Sequence, residues 1–210
     1  MQERKGGYNA DVNKIRLSYT LLNLFKMGRI DQALTYYFKM GYFSSPAMEA
    51  GKKWDEYLNE YTIEHKAYPE DWGGDKLNDP KAQVKLEMSY SEHFDLVTVF
   101  DVLDGPILYE NKTGLSKNSS DYTLDFQVPL YFIMANHHKL GVEKAIIKHY
   151  NQYLPADRMD QSIVYNTKQE IARGQNFIQT VGGEIYSYFQ DNKMWDKKVT
   201  NEPLDNNENI

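Results

Sequence analysis

The stretch FDLVTVFDVLDGPILYENKTG, Phe94 to Gly114, determines how this chain is interpreted. It is apolar over most of its length, yet an acid lies near its start and it finishes on ENKTG. Two strands, Phe94 to Val102 and Pro106 to Lys112, are predicted on either side of Asp104-Gly105, a dipeptide typical of hairpins. A carboxylate and an ammonium are costly inside a protein unless they pair or bind something. The hairpin therefore ends either in solvent or in the wall of a charged site.

The composition is that of a folded protein. The 210 residues are 41% hydrophobic and 14% aromatic, which supplies enough apolar surface for a core and argues against disorder. No apolar run is long enough to suggest a membrane span. The N-terminal MQERKGGYNADVNK lacks the apolar segment of a secretory signal, so a cytoplasmic protein is expected. The absence of cysteine excludes disulfides, thiolate nucleophiles and cysteine-bound metal centres.

Hydrophobic periodicity predicts helices, then a three-strand meander, a helix, a strand and a final helix. This order indicates the α/β class, with a mixed central β-sheet flanked by helices. Residues 1–14 are interpreted as an N-terminal extension, 15–192 as one domain and 193–210 as a polar C-terminal tail. The N-terminal part is predicted to contain two helices in Ile15–Met40, split near Gly28 with Ser18 as the first cap, then a helix at Pro46–His65 and a loop at Tyr68–Pro80. The predicted segments that follow are a strand at Val84–Tyr90, the hairpin, a helix at Tyr122–His138, a strand at Val142–Tyr150 and a helical Gln161–Phe189 with a candidate break at Gly182-Gly183.

The charged end of the hairpin suits one kind of chemistry. Side chains two residues apart in a strand share a face, so Glu110 and Lys112 point one way and Asn111 points the other. Asp95 opens the preceding strand, and the meander can bring it near Glu110. Two carboxylates can hold Mg²⁺ or Mn²⁺, which neutralises a phosphate and lowers the pKa of a bound water, while an amine stabilises charge on the phosphate oxygens. Taken alone, the same pattern is more often a surface ion-pair cluster.

The next helix adds Gln127 and Tyr131, which are four residues apart and so share a helix face. The whole string is D-x14-ENKTG-x12-QVPLY. It resembles the RecB-like nucleases of the PD-(D/E)xK superfamily, whose signature is an Asp at a strand start, a D/E-x-K-T-G strand end and Q-x-x-x-Y on the following helix. Earlier in the chain, SYTLLNLFKMG (Ser18 to Gly28) is similar to the opening helix of that family, and the resemblance extends from there to the last long helix.

The segment AMEAGKKWDEYL, Ala47 to Leu58, resembles the G-x-x-x-H-x-x-L helix of these nucleases. It matches at Gly51 and Leu58 and departs at Asp55, where the family usually has His and other branches of the superfamily have Glu. An Asp can still ligate a metal, directly or through water. The departure therefore affects the expected coordination rather than the expected chemistry.

The resemblance implies a restriction-endonuclease-like core that cuts DNA with a divalent metal, typically as an exonuclease in repair, recombination or phage replication, often with a helicase or recombinase partner. It also implies a role for each matching position. Carried over by position, the site comprises Asp95, Glu110 and Lys112 as catalytic residues; Asp95, Glu110, the Asn111 carbonyl and Asp55 as ligands of Mg²⁺ or Mn²⁺; and Gln127 and Tyr131 as contacts to the scissile phosphate or the DNA backbone.

Several members of this family clamp the two ends of the domain with four cysteines on an iron–sulfur cluster. This chain has none, so its opening and closing helices, both rich in aromatics, are expected to hold together by packing. Two alternatives stay open, a nucleic-acid-binding or assembly protein that keeps the fold without turnover, and RNA as the substrate. Asp55 and the net charge of −6 leave room for the first alternative. The charge also argues weakly against nucleic acid as a ligand, because phosphate contacts usually come from a basic surface.

Five other residues have side chains that could serve in such a site. Glu87 matches an acid that many of these nucleases carry on the strand before Asp95, although an exposed acid on an edge strand explains it as well. His93 shares a strand face with Asp95, and Trp72, in the loop, is the better base-stacking candidate among the tryptophans. His137-His138 are adjacent on a helix and are interpreted as solvated rather than as a metal pair.

Overall fold

The computed structural model describes residues 8–9, 14–38, 46–113, 118–150 and 159–194. No helix in these ranges is both long and apolar enough to cross a membrane. A 3-10 turn, Glu70–Trp72, interrupts the loop before the third strand. The strands and α-helices are, in chain order, β1 (Tyr8–Asn9), β2 (Lys14–Leu17), α1 (Tyr19–Lys26), α2 (Ile30–Phe38), α3 (Pro46–His65), β3 (Lys81–Ser89), β4 (Phe94–Asp104), β5 (Ile107–Thr113), α4 (Ser119–Tyr122), α5 (Gln127–His137), β6 (Lys144–Tyr150), β7 (Met159–Tyr165) and α6 (Lys168–Asp191).

The strands form one mixed sheet in the order β1-β2-β4-β5-β6-β7, and β3 also pairs with β4. The pairs β2–β4 and β5–β6 are parallel, whereas β1–β2, β4–β5 and β6–β7 are antiparallel. Neighbouring parallel strands need a crossover connection, and α5 supplies it between β5 and β6. The predicted α/β class, with a mixed central sheet flanked by helices, is confirmed.

Two compact units make up the chain. The first comprises Met1–Ser44, Glu87–Val97 and Asn176–Ile210, and the second comprises Ser45–Leu86 and Thr98–Gln175. Of the residues predicted for the site, all except Asp95 belong to the second unit.

In the first unit, local signals set the helix ends. The Ser18 side chain caps α1 by accepting a hydrogen bond from a backbone N–H of its first turn, and Gly28, at φ 70°, separates α1 from α2. The ring centroid of Phe189 on α6 lies 5.2 Å from that of Tyr37 and 5.9 Å from that of Phe38 on α2. Aromatic packing therefore joins the opening and closing helices, as expected for a chain without cysteines.

In the second unit, α5 is buried from Val128 to Ala135. Pro129 fits there because the first turn of a helix has no intrahelical partner for its N–H groups. Gly174 of α6 packs so closely on α5 that a Cβ atom at this position would lie 2.9 Å from Ile133 Cδ1. A separate apolar cluster consists of Leu58, Tyr68, Trp72, Leu77, Val102, Tyr109 and Ile146.

An ion pair between a buried lysine and a partly exposed aspartate joins the loop after α3 to β6. Lys148 is fully buried, and its Nζ lies 2.5 Å from Asp75 Oδ2 and donates a hydrogen bond to the Trp72 carbonyl at 2.9 Å. The same ammonium lies 4.7 Å from the centre of the Tyr68 ring. A buried charge that loses its partner is costly, so these contacts hold the loop in one arrangement.

Four segments differ from the sequence prediction. Ile15–Leu17 belongs to strand β2 because it pairs with β4, and α5 begins at Gln127 rather than at Tyr122. Residues 161–165 belong to the edge strand β7, which pairs with β6, and α6 continues unbroken through Gly182-Gly183. Each of these outcomes depends on pairing or packing with a distant segment, which local periodicity does not report. The predicted tail lies, apart from its first two residues, outside the described residues, as does most of the predicted N-terminal extension.

Candidate active site

The charged end of β5 is buried. The side chain of Glu110 is 3% exposed, and its Oε1 lies 2.5 Å from Lys112 Nζ. Because the two residues share a strand face, the ammonium lies alongside the carboxylate. An exposed surface ion pair does not describe this arrangement, because the carboxylate has been removed from water.

Helix α5 completes the surroundings of the lysine. Gln127 Oε1 accepts a hydrogen bond of 2.8 Å from Lys112 Nζ, and Gln127 Nε2 donates one of 2.6 Å to the Tyr131 hydroxyl. Tyr131 is only 3% exposed, and its burial, reinforced by the charge of Glu110, raises the pKa of the phenol well above its usual value. The phenol therefore stays protonated, and Gln127 links it to the lysine.

Two further carboxyl groups, those of Asp55 and Asp101, interact electrostatically with Glu110 and Lys112. Burial, followed by the charge of Glu110, raises the pKa of Asp55 on α3 to about 6. Burial, followed by the charges of Glu110 and Asp55, raises the pKa of Asp101 on β4 well above its usual value. Lys112 opposes both shifts, but burial and the neighbouring acids outweigh it. The site thus sets three carboxyl groups, those of Asp55, Asp101 and Glu110, against one ammonium, and burial disfavours their charged forms.

Asp95 is the residue predicted as the strand-start acid of the site. It lies in the first unit, where its Oδ1 is 3.6 Å from Lys14 Nζ. Asp101, six residues later on β4, lies in the second unit, and its charge interacts with that of Glu110. The acid that accompanies Glu110 from the preceding strand is therefore Asp101, which the sequence analysis missed.

The hairpin itself contained the signal for Asp101. The observed register pairs Asp104 with Ile107 and Val102 with Tyr109. One further step along this register places Asp101 opposite Glu110, whereas Asp95 is far along the strand from that position. Counting residues outward from the Asp104-Gly105 turn would have selected Asp101, because an antiparallel register follows from the position of its turn.

The backbone and the side chain of Asn111 make contacts on different sides of β5. Its N–H donates a 2.8 Å hydrogen bond to Asp101 Oδ2, so its backbone borders the acidic cluster. Its side chain points to the opposite face, where Oδ1 accepts a 3.1 Å hydrogen bond from the Tyr68 hydroxyl. Only main-chain atoms of Asn111 are thus available to the site, as the predicted carbonyl ligand requires.

The remaining candidates are placed elsewhere. Glu87 pairs with Arg16, and the ring of His93 stacks on that of Tyr186 at 4.3 Å, all within the first unit. Trp72 is fully buried against Tyr150, so it cannot stack on a base as predicted. His137 and His138 are exposed.

The donor set suits a hard divalent cation. Glu110 Oε2 is buried without a hydrogen-bond partner, and burial together with the neighbouring acids raises the pKa values of Asp55 and Asp101. Oxygen ligands of this type fit Mg²⁺ or Mn²⁺. In the described part of the chain, no three His, Asp or Glu side chains already have the spacing of a metal centre.

No protein-family model matches the chain, and no curated protein matches it. Solved structures do. The structure of LHK-Exo in complex with dAMP matches with a TM-score of 0.53 and 13% identity, covering 88% of this chain and 96% of that chain. A proposed exonuclease from Eubacterium rectale matches with a TM-score of 0.52 and 11% identity, covering 88% of both chains. A second LHK-Exo structure, an alkaline exonuclease from Laribacter hongkongensis, has a TM-score of 0.49 and 13% identity over 88% of this chain and 94% of that one. The two matches with TM-scores above 0.5 show that the chain shares its fold with solved exonuclease structures.

Proposed function

We propose that this protein is a divalent-metal-dependent nuclease that hydrolyses phosphodiester bonds of DNA from an end. One observation carries the proposal. The buried Glu110 carboxylate, with one oxygen unpartnered, lies beside Lys112 among acids whose pKa values are raised. Surplus buried negative charge next to an ammonium is costly in an ordinary core, and it is the arrangement that a metal-assisted phosphoryl-transfer site needs.

Asp101, Glu110, Asp55 and the Asn111 carbonyl are the groups that we propose hold Mg²⁺ or Mn²⁺. Asp101 replaces Asp95 in this assignment because it interacts with Glu110. A bound cation would neutralise a phosphate oxygen and lower the pKa of a water molecule. The chain would supply the carboxylates that fix where the cation and the phosphate meet.

Lys112 is the residue that we propose acts on the phosphate or on the attacking water. Its ammonium is held from two sides, by Glu110 Oε1 at 2.5 Å and by Gln127 Oε1 at 2.8 Å. With Mg²⁺ or Mn²⁺ held by the carboxylates, this ammonium would lie beside the phosphate and could stabilise the charge that develops on its oxygens.

Gln127 and Tyr131 are better explained as positioning residues than as direct contacts to DNA. Both ends of the Gln127 amide are engaged, one by Lys112 and the other by Tyr131, and Tyr131 is buried. Tyr131 therefore fixes the amide, and the amide fixes the ammonium.

DNA as the substrate, and cleavage from an end, are supported by neighbours in fold that are named exonucleases, one of which was solved with dAMP. Repair, recombination or phage replication in the cytoplasm, with a helicase or recombinase as partner, is the setting that we propose for this activity. RNA is the competing substrate.

The test is degradation of end-labelled linear DNA, a closed circular DNA and a labelled RNA, each with Mg²⁺, Mn²⁺ or EDTA. Wild type should remove linear DNA only, and EDTA or Lys112→Ala should stop the reaction. Cutting of the circle would make the protein an endonuclease, and preference for RNA would change the substrate. No cleavage with either cation, together with tight DNA binding, would instead indicate a nucleic-acid-binding or assembly protein.

A further inference from the structure

A short segment beside the lysine has no role in the mechanism above. It runs from Ser119 through α4 to Phe126 and leads into α5. The ring of Tyr122, at the end of α4, is partly exposed, and its centre lies 5.6 Å from Lys112 Nζ. We call Ser119–Phe126 the wall segment.

The first end of the wall segment is held by a partly buried polar network. Asp160 Oδ2 accepts a 2.6 Å hydrogen bond from the Ser119 backbone N–H, and Asp160 Oδ1 lies 2.9 Å from His149 Nδ1. The Ser119 hydroxyl lies 2.8 Å from that of Ser162. His149, only 2% exposed, occupies the position on β6 that pairs with Lys112 on β5, so the network lies one strand away from the lysine.

The other end is fastened by one guanidinium. Arg173 on α6 donates hydrogen bonds to the backbone carbonyls of Thr123 (2.9 Å), Leu124 (3.3 Å) and Asp125 (3.3 Å). Its own position is fixed by Glu170, whose Oε2 accepts a hydrogen bond from Arg173 Nη2 at 2.7 Å. Three consecutive carbonyls held by one side chain leave this part of the segment little freedom.

What the wall segment presents is apolar. Leu124 is 73% exposed, and Tyr122 lies two residues before it. One exposed leucine is ordinary on a protein surface. Here, however, both ends of the segment that carries it are fastened, and an aromatic ring beside the proposed catalytic lysine accompanies it.

The acidic charges of the wall segment argue against contacts with phosphate. The sequence SSDYTLDF contains two acids and no basic residue, so it is unsuited to phosphate. An aromatic face and an aliphatic side chain suit a sugar or a nucleobase, because every base has a π-face and stacking on it is tolerant of sequence.

We infer that Tyr122 and Leu124 form a nucleobase subsite, which contacts the base of the nucleotide whose phosphate meets Lys112. This inference rests on the proposed function and extends it. Arg173 and Asp160 are positioning residues for the subsite. The subsite would bind each successive nucleotide, whatever its base, while the lysine and the carboxylates act on the phosphate.

The test uses two duplexes that differ only at their terminal nucleotides, which are intact in one and abasic in the other. Tyr122→Ala and Leu124→Ala should each raise KM on intact DNA about tenfold, with kcat changed by less than about threefold. On abasic DNA, which has no base to lose, the same variants should match wild type within about twofold. Tyr122→Phe should behave as wild type on both, because the ring is retained.

Two further variants distinguish residues that position the wall segment from residues that contact the DNA. Arg173→Gln should reproduce the KM increase on intact DNA and be nearly silent on abasic DNA. Tyr165→Ala removes a tyrosine that is 60% exposed at the other end of β7 from Asp160, and it should change neither substrate. An unchanged KM for Tyr122→Ala and Leu124→Ala, or an equal rise on both DNAs, would overturn the subsite.

Failure of the proposed function would be visible separately. If wild type cuts neither duplex, the nuclease proposal fails. Binding of the same two duplexes, measured by fluorescence anisotropy in EDTA, then decides the subsite by itself. A tenfold weaker affinity of Tyr122→Ala for the intact duplex alone would support it, and equal affinities for wild type and variant would refute it.

Discussion

Replacing Asp101 by Asn should abolish cleavage while leaving the fold intact. The amide oxygen can keep the 2.8 Å hydrogen bond that Asp101 Oδ2 accepts from the Asn111 N–H. The change removes one negative charge from a group whose pKa is raised by burial and by the charges of Glu110 and Asp55. A carboxylate that is costly to the metal-free protein but required by a bound cation should show opposite effects on stability and on activity.

The expected sizes differ enough to be decisive. Stabilisation of transition-state charge by a metal ion amounts to several kcal/mol. Since about 1.4 kcal/mol corresponds to a tenfold change in rate, Asp101→Asn should slow cleavage by about 10²- to 10³-fold. In EDTA, Tm should be unchanged or higher, because each kcal/mol of repulsion relieved raises Tm by about 2–4 °C in a chain of this size.

The matched control is Asp95→Asn, the same chemical change on the same strand. Asp95 lies near Lys14 in a partly exposed pair, and such pairs contribute less than about 1 kcal/mol. Its cleavage rate should stay within about twofold of wild type. The measurement is single-turnover loss of end-labelled linear DNA over a Mg²⁺ titration. The reasoning is refuted if Asp101→Asn keeps more than a tenth of the activity, or if Asp95→Asn is the variant that loses it.

Three other outcomes can be checked by unfolding measurements on the metal-free protein. Because burial and Glu110 raise the pKa of Asp55 to about 6 in the folded state, its protonation stabilises the fold at low pH, and this stability is lost as the pH rises through about 6. Urea unfolding at pH 4.5 and 7.5 should show a difference of about 1–2 kcal/mol, reduced by solvent screening, that Asp55→Asn lacks. Asp75→Ala leaves the buried ammonium of Lys148 without its carboxylate, so it should lower the free energy of unfolding by about 3–5 kcal/mol, more than Lys148→Met does. A larger loss for Lys148→Met would contradict this account of the ion pair. Gly174→Ala should lower stability by about 1–3 kcal/mol through overpacking against α5, and an unchanged Tm would show that α6 can shift.

Local spacing was sufficient to predict half of the candidate site. Glu110 and Lys112 share a face because the side-chain period of a strand is two, and Gln127 and Tyr131 share one because they are four apart on a helix. Both relations hold wherever the element is placed, and the structure contains both contacts. The direction in which Gln127 acts, toward Lys112 rather than toward solvent, could not be predicted, because it depends on how α5 packs on β5.

Asp101 and Trp72 show what local spacing misses. Asp95 and Asp101 are both acids of β4, and they lie an even number of residues apart, so the alternation of side chains places them on the same face of the strand. Only the register of the hairpin decides which of them lies opposite Glu110. Trp72 lies in a loop rich in Gly, Pro and Asp, a composition typical of the surface. It is nevertheless buried, because the fully buried Lys148 holds the Trp72 carbonyl and the adjacent loop against β6.

The sequence by itself therefore determined the α/β class, the hairpin, the lysine with its neighbouring glutamate, and the helix that follows them. Each of these rests on contacts between residues close in the chain, where period and turn chemistry are set by covalent geometry. Only the tertiary structure selected Asp101 over Asp95, assigned residues 161–165 to the strand β7, and placed the wall segment beside Lys112. Those outcomes depend on registers and packing between distant segments, whose free energies are decided by burial and by pairing of charges across the whole fold.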